Sequence, residues 1–139
     1  MQSKCADSCS ADTRPLHLYE YAVVQYIPSI ERGEVINIGL IMMCKRRRWV
    51  KVRFDINEPR IYALCATADT DALRTQLTGF ERVADGHPDG GTIAALEPHE
   101  RFRWLTAVRS ACLQTSRPHA GLTPDLDTTF NSLFSNLVL

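Results

Sequence analysis

Residues 31–44 read ERGEVINIGLIMMC: a polar turn, a glycine, then a long apolar run interrupted by one amide and a second glycine. From Glu34 onward the pattern is that of a strand. Successive side chains of a strand point to opposite faces. Glu34, Ile36, Ile38, Leu40, Met42 and Cys44 therefore share one face, and Val35, Asn37, Gly39, Ile41 and Met43 the other. The first set is apolar apart from Glu34 and is the expected core face. The second carries Asn37 and Gly39 in mid-strand, where both residue types are disfavoured. A glycine at such a position marks a bulge or the close approach of another backbone.

Working outward, Leu18–Ile27 (LYEYAVVQYI) is rich in Tyr, Val and Ile and reads as a preceding strand that Pro28 stops. Residues 28–33 (PSIERG) form the connecting turn. On the other side, Lys45–Arg48 (KRRR) is a tight basic turn, and Trp49–Ile56 (WVKVRFDI) returns with clean period-2 alternation. That pattern points Val50, Val52, Phe54 and Ile56 inward, and Trp49, Lys51, Arg53 and Asp55 outward. The first 56 residues thus predict a three-stranded antiparallel meander with one face open to water or a partner, closed off by Asn57-Glu58-Pro59.

The remainder reads mainly as helix. Asp69 or Thr70 caps a helix running to Ala84, with Leu73, Leu77, Phe80 and Ala84 as its buried stripe. Pro98–Val108 is a short helix that directs Phe102 and Leu105 inward. Ser110–Ser116 suggests a fourth strand. The clearest helix spans Thr123–Leu139, with Thr123 as cap, Pro124 at the first position and Leu126, Phe130, Leu133, Phe134 and Leu137 on one face. Helices segregated from an antiparallel meander define an α+β fold. The expected architecture is a three- to four-stranded antiparallel meander sheet covered on one face by about three helices. Residues 1–15 are small and polar and read as a disordered leader, and 16–139 as a single domain.

Composition narrows the functional classes. The chain has 139 residues, 45% hydrophobic and 23% charged, with a formal net charge of zero. Residues 1–60 hold ten Lys/Arg against seven Asp/Glu, and residues 61–139 six against nine, an asymmetry too mild to signal nucleic-acid binding by itself. No apolar run approaches the ~20 residues of a membrane span, and the N-terminus lacks the apolar core of a secretory signal. Five scattered cysteines, Cys5, Cys9, Cys44, Cys65 and Cys112, fit a reducing cytosol. Cys5 and Cys9 lack a second ligand pair at zinc spacing, so no metal is expected. The chain holds no nucleophile elbow, phosphate loop or HExxH motif, and no catalytic residue or cofactor is assigned.

Three groups of residues remain as site candidates. Glu31, Arg32 and Glu34 cluster on the first turn beside Asn37, where binding groups are often carried. Arg53, Arg109 and Gln114 extend this binding set, since an arginine and an amide suit recognition of carboxylate or phosphate. The second group, Lys45, Arg46, Arg47, Arg48, Trp49 and Lys51, resembles a phosphate-binding patch with a stacking aromatic. The same charges also keep a hairpin solvated and protect a sheet edge. The third group, Glu31, Glu34, Asn37 and Arg109, serves a small enzyme only where all four converge on one concave pocket. Arg101, Arg103 and Trp104 around the short helix read as surface groups.

At YAVVQYIPSIERGEVINIGLIMMC the chain resembles the domain of unknown function number 3037 family, through Tyr26, Pro28, Glu31, Arg32, Gly33, Glu34, Asn37 and Gly39. The resemblance resumes at RFRWLTAVRSACLQTSRPHAG, through Phe102, Leu105, Arg109 and Gln114, and at the closing Leu133-Phe134 and Leu137-Val138. It covers about residues 18–139, with a variable middle near 60–95. The cysteine-bearing leader and the KRRR turn depart from the family pattern. The resemblance implies a small bacterial cytosolic protein without an established activity, often encoded beside a HipA-like kinase. The functional expectation is a non-catalytic protein-interaction or regulatory module and a partner of such a kinase. A nucleic-acid-binding accessory protein using the basic hairpin, or an undescribed small enzyme, are the alternatives.

Overall fold

β-Branched and aromatic residues recur through residues 19–27 and 35–41, and the two central strands of the sheet are built on these stretches. The computed structural model describes residues 14–107 and 112–139. Strand β1 spans His17–Tyr26, β2 Ile36–Cys44 and β3 Trp49–Phe54, joined as the expected antiparallel meander. Strands β4 (Leu113–Thr115) and β5 (His119–Thr123) both pair antiparallel with the free side of β1, giving the order β3-β2-β1 with β4 and β5 end to end. Of the expected fourth strand, residues 110 and 111 lie outside the described residues and Leu113–Thr115 are strand, and β5 is an addition that the sequence did not announce. The expected leader lies outside the described residues except for its last two.

The β4–β5 line is one strand broken at residues 116–118. Pro118 has no N–H to give a ladder. Ser116 compensates with its side chain: the Val23 N–H donates to the Ser116 hydroxyl at 2.9 Å, and the Ser116 N–H donates to the Val23 carbonyl at 2.8 Å. The break supplies the one-residue register change between the two pairings.

A second register change lies between β1 and β2. Val24 pairs with Gly39 and Gln25 with Asn37, so Ile38 is an extra residue on β2. This bulge inverts the alternation. Ile36, Ile38, Ile41 and Met43 enter one core, whereas Leu40 and Met42 enter another. The single core face expected from strict alternation is therefore corrected. Gly39 explains why the bulge is tolerated. A Cβ there would lie 2.8 Å from the Arg53 carbonyl oxygen and would collide with the Phe54 ring. Below 3 Å no carbon fits without moving backbone, so the residue must be glycine.

Four helices cover the sheet. Helix α1 (Glu58–Leu64) starts where the sheet was expected merely to close, with the Asn57 side chain accepting from the Arg60 N–H. Helix α2 (Thr70–Ala84) is capped by Asp69 and buries Leu73, Leu77 and Ala84. Helix α3 (Pro98–Ala107) buries Phe102 and Leu105. These three close the larger core with Ala22, Val24, Tyr26, Ile36, Ile38, Ile41 and Met43. Helix α4 (Leu126–Leu137) packs on the opposite face, placing Phe130, Phe134 and Val138 against Val23, Leu40 and Met42. Its cap is Asp125, accepting from the Thr128 N–H; Thr123 ends β5 instead. The fold class is α+β on an antiparallel sheet, and three helices do cover one face. The face expected to stay open is covered by α4.

Candidate functional site

The β1–β2 bulge sets up a row of side-chain amides. Gln25 stands directly opposite Gln114 on β4 and opposite Asn37 on β2. Cross-strand partners share a face, and here that face is the α4 side. The Gln114 amide N–H donates to Gln25 Oε1 at 3.2 Å, and Gln25 Nε2 approaches Asn37 Oδ1 at 3.4 Å. Asn37 Nδ2 then donates to the Leu137 carbonyl at 3.0 Å. The row crosses three strands and ends on one of the orphan carbonyls at the α4 C-terminus. Asn37 and Gln114, expected in one binding set, are thus brought together, joined by Gln25, which sequence reading missed. The available signal was a lone polar side chain in the apolar run VVQYI. Chemically, the row ties a helix end to the sheet through half-buried amides that hydrogen-bond one another and the helix.

The β1–β2 connection lies at the same end of the sheet. Gly33, at φ +69°, turns the chain, and its N–H donates to the Ser29 carbonyl at 3.1 Å. Arg32 Nε donates to Glu34 Oε1 at 2.5 Å. That hydrogen bond holds the Glu34 carboxyl below the ordinary glutamate range and raises the Arg32 guanidinium. Glu31 is exposed beside them. Two apolar side chains bracket the charges in full view of solvent: Ile30 is 62% exposed and Val35 42%. The connection therefore presents apolar and charged groups together on a defined turn.

Arg48, Trp49 and Lys51 of the basic hairpin are occupied by structural contacts. The Arg48 guanidinium makes a two-point contact with the Glu97 carboxylate, and Arg48 itself adopts φ +50°. Lys51 Nζ lies 3.2 Å from Asp127 Oδ1 and 4.9 Å from the Phe130 ring centre. Arg53 lies over the Phe134 ring at 4.5 Å. Trp49 packs on the α4-side core rather than facing outward. Lys45, Arg46 and Arg47 are exposed on the turn. Arg47 lines a polar recess with His17, Asp125 and Asp127, so its neighbours include carboxylates as well as cations. Lys51 and Arg53 do lie on the expected outward side, where they meet the α4 rings; Lys51 is half-buried there and Arg53 stays exposed.

Arg109 lies outside the described residues. Glu31, Glu34 and Asn37 line none of three pockets that open among the described residues. The largest, about 400 Å³, is apolar and lies between α2, α3 and β4, where Phe80, Val83, Trp104 and Leu113 contribute. On the same side of the molecule Arg103 grips Glu20 with two hydrogen bonds of 2.6 Å. The bond from Arg103 holds the Glu20 carboxyl below its ordinary range. Cys44 is buried, and Cys65 and Cys112 are partly so, all as free thiols. Cys5 and Cys9 lie outside the described residues. Among those residues no cluster of three His, Cys, Asp or Glu forms, and no helix is long and apolar enough to cross a membrane.

A protein-family model described as "Protein of unknown function (DUF3037)" matches residues 21–138. No curated protein and no solved structure matches the chain.

Proposed function

This chain belongs to the DUF3037 family of proteins of unknown function, and on that premise we propose that it is a non-catalytic protein-interaction module that contacts its partner through the β1–β2 connection. The observation that carries the reading is the exposure of Ile30 and Val35 on either side of Glu31, Arg32 and Glu34. Large apolar side chains left this exposed beside charged groups are the composition of a contact patch. The turn is held by Gly33 and the Arg32–Glu34 bond, so little conformational freedom is lost on binding. The amide row beneath fixes the strand from which the connection departs.

A HipA-like kinase is the partner to test first. Co-expression of the two proteins, followed by size-exclusion chromatography, should give a co-eluting complex. Ile30→Asp with Val35→Asp should abolish it while leaving the thermal midpoint unchanged within about 2 °C, as expected for exposed positions. A complex that survives both substitutions removes the connection as the contact surface, and failure of the wild-type proteins to co-elute removes this kinase as the partner.

A further inference from the structure

The two edges of the sheet are not equivalent. Strand β3 ends the sheet on one side and carries Lys51 and Arg53 within it, next to the Lys45–Arg48 turn. Charges within an edge strand are a standard defence against pairing with another chain. Strand β5, on the other side, pairs among the described residues only with β1 and reads HAGLT, with no Lys, Arg, Asp or Glu. Prolines lie outside it at 118 and 124. Leu122 is 61% exposed and stands opposite Leu18, 60% exposed, with Leu16 nearby at 59%. Three exposed leucines beside an uncharged edge strand form the kind of surface that soluble proteins otherwise avoid.

We propose that β5 pairs antiparallel with β5 of a second copy of this chain, about a two-fold axis at Gly121, to form a continuous sheet across a homodimer. The strand is self-complementary in this register. Gly121 faces Gly121, and each Ala120 faces the partner's Leu122, so small meets large on both sides of the axis. Behind them, Leu18 supports Leu122, and Tyr19 lies against Gly121 on the opposite face, where a Cβ would collide with the Tyr19 hydroxyl. The electrostatics agree: the strand is uncharged and the chain's formal net charge is zero, so two copies meet without repulsion. A five-residue edge contact is small beside the roughly 1,200 Å² of a stable interface. The leucines must therefore contribute, and dissociation in the micromolar range is expected. This inference stands apart from the partner contact at the β1–β2 connection.

Analytical ultracentrifugation over a dilution series tests it. Wild-type protein should move from twice the 15.7 kDa chain mass toward one chain mass on dilution. Leu122→Glu should be monomeric with an unchanged circular dichroism spectrum. Mixing Leu122→Glu with Ala120→Lys should form a one-to-one heterodimer, because the register sets the introduced lysine of one copy opposite the introduced glutamate of the other. A wild-type chain that stays monomeric near ~100 µM overturns the proposal, as does a folded Leu122→Glu that still dimerises or a mixture that fails to pair. If Leu122→Glu does not fold, hydrogen exchange on the wild type decides. Those amides of residues 119–123 that point away from β1 should gain at least ten-fold protection with rising concentration, and no gain overturns the proposal.

Discussion

The two faces of the sheet are closed by different chemistry. Under α1–α3 the contacts are almost entirely apolar, with Phe102, Ile38, Ile41 and Ile61 fully buried. Under α4 the apolar set is smaller, and polar groups finish the contact. Lys51 and Arg53 lie over Phe130 and Phe134, Lys51 reaches Asp127, and Asn37 holds the Leu137 carbonyl. Burial on the first face scales with area and needs no direction. The second face depends on directed contacts, each worth about 1 kcal/mol or less. A single helix can thus be held over strands that carry charges, provided its rings offer those charges a surface.

The largest effects should separate the faces. Phe102→Ala should cost about 4 kcal/mol in urea unfolding, because a fully buried ring leaves a cavity between α3 and the sheet. Phe134→Ala should cost about 3 kcal/mol, and hydrogen exchange should show its main effect in α4 alone, as a helix held by fewer apolar contacts opens separately. Equal, global effects from both would erase the distinction. Gly39→Ala comes next, at about 2–3 kcal/mol, since the new methyl meets the Arg53 carbonyl and the Phe54 ring at the bulge that divides residues between the faces.

Asn37→Ala should cost about 1–2 kcal/mol, by orphaning the Leu137 carbonyl and ending the amide row, with Gln25→Ala intermediate. A double-mutant cycle between the two measures their coupling. The smallest effect belongs to the surface bridge at Glu20, where Glu20→Gln should cost about 0.5 kcal/mol at neutral pH. Its sign with pH is fixed. The folded-state pKa of Glu20 is depressed by Arg103, so the contribution is present above the ordinary carboxylate pKa and is lost as the pH falls through the lower, folded-state value. Stability curves of wild type and Glu20→Gln should therefore converge in acid.

Much of this was legible beforehand. The meander, the KRRR turn, the Asp69 cap and the buried stripe of α2 all follow from local pattern. So does the oddity of Asn37 and Gly39, which mark the bulge and its close contact. Of the candidate site residues, Asn37 and Gln114 lie in one hydrogen-bonded row, through Gln25, which was hidden in an apolar run. Lys51 and Arg53 point to the expected face and Arg53 stays exposed, yet the α4 rings stand beside them, so a surface read as open also serves packing. Strand β5 escaped notice because five mixed residues carry no periodicity of their own. Its pairing depends on β1 and on the Ser116 hydroxyl at the break.

By itself, the sequence determined most of the segments that become strands and helices, α1 and β5 apart, because caps, glycines, prolines and hydrophobic period act over a few residues. Only the tertiary structure decided which face each side chain joins. One extra residue at Ile38 reverses the alternation of everything beyond it. Whether that residue is accommodated depends on Phe54 and Arg53 of a neighbouring strand, not on β2. The side of the sheet that α4 covers is decided in the same way, by Leu40 and Met42 being turned to meet Phe130 and Phe134.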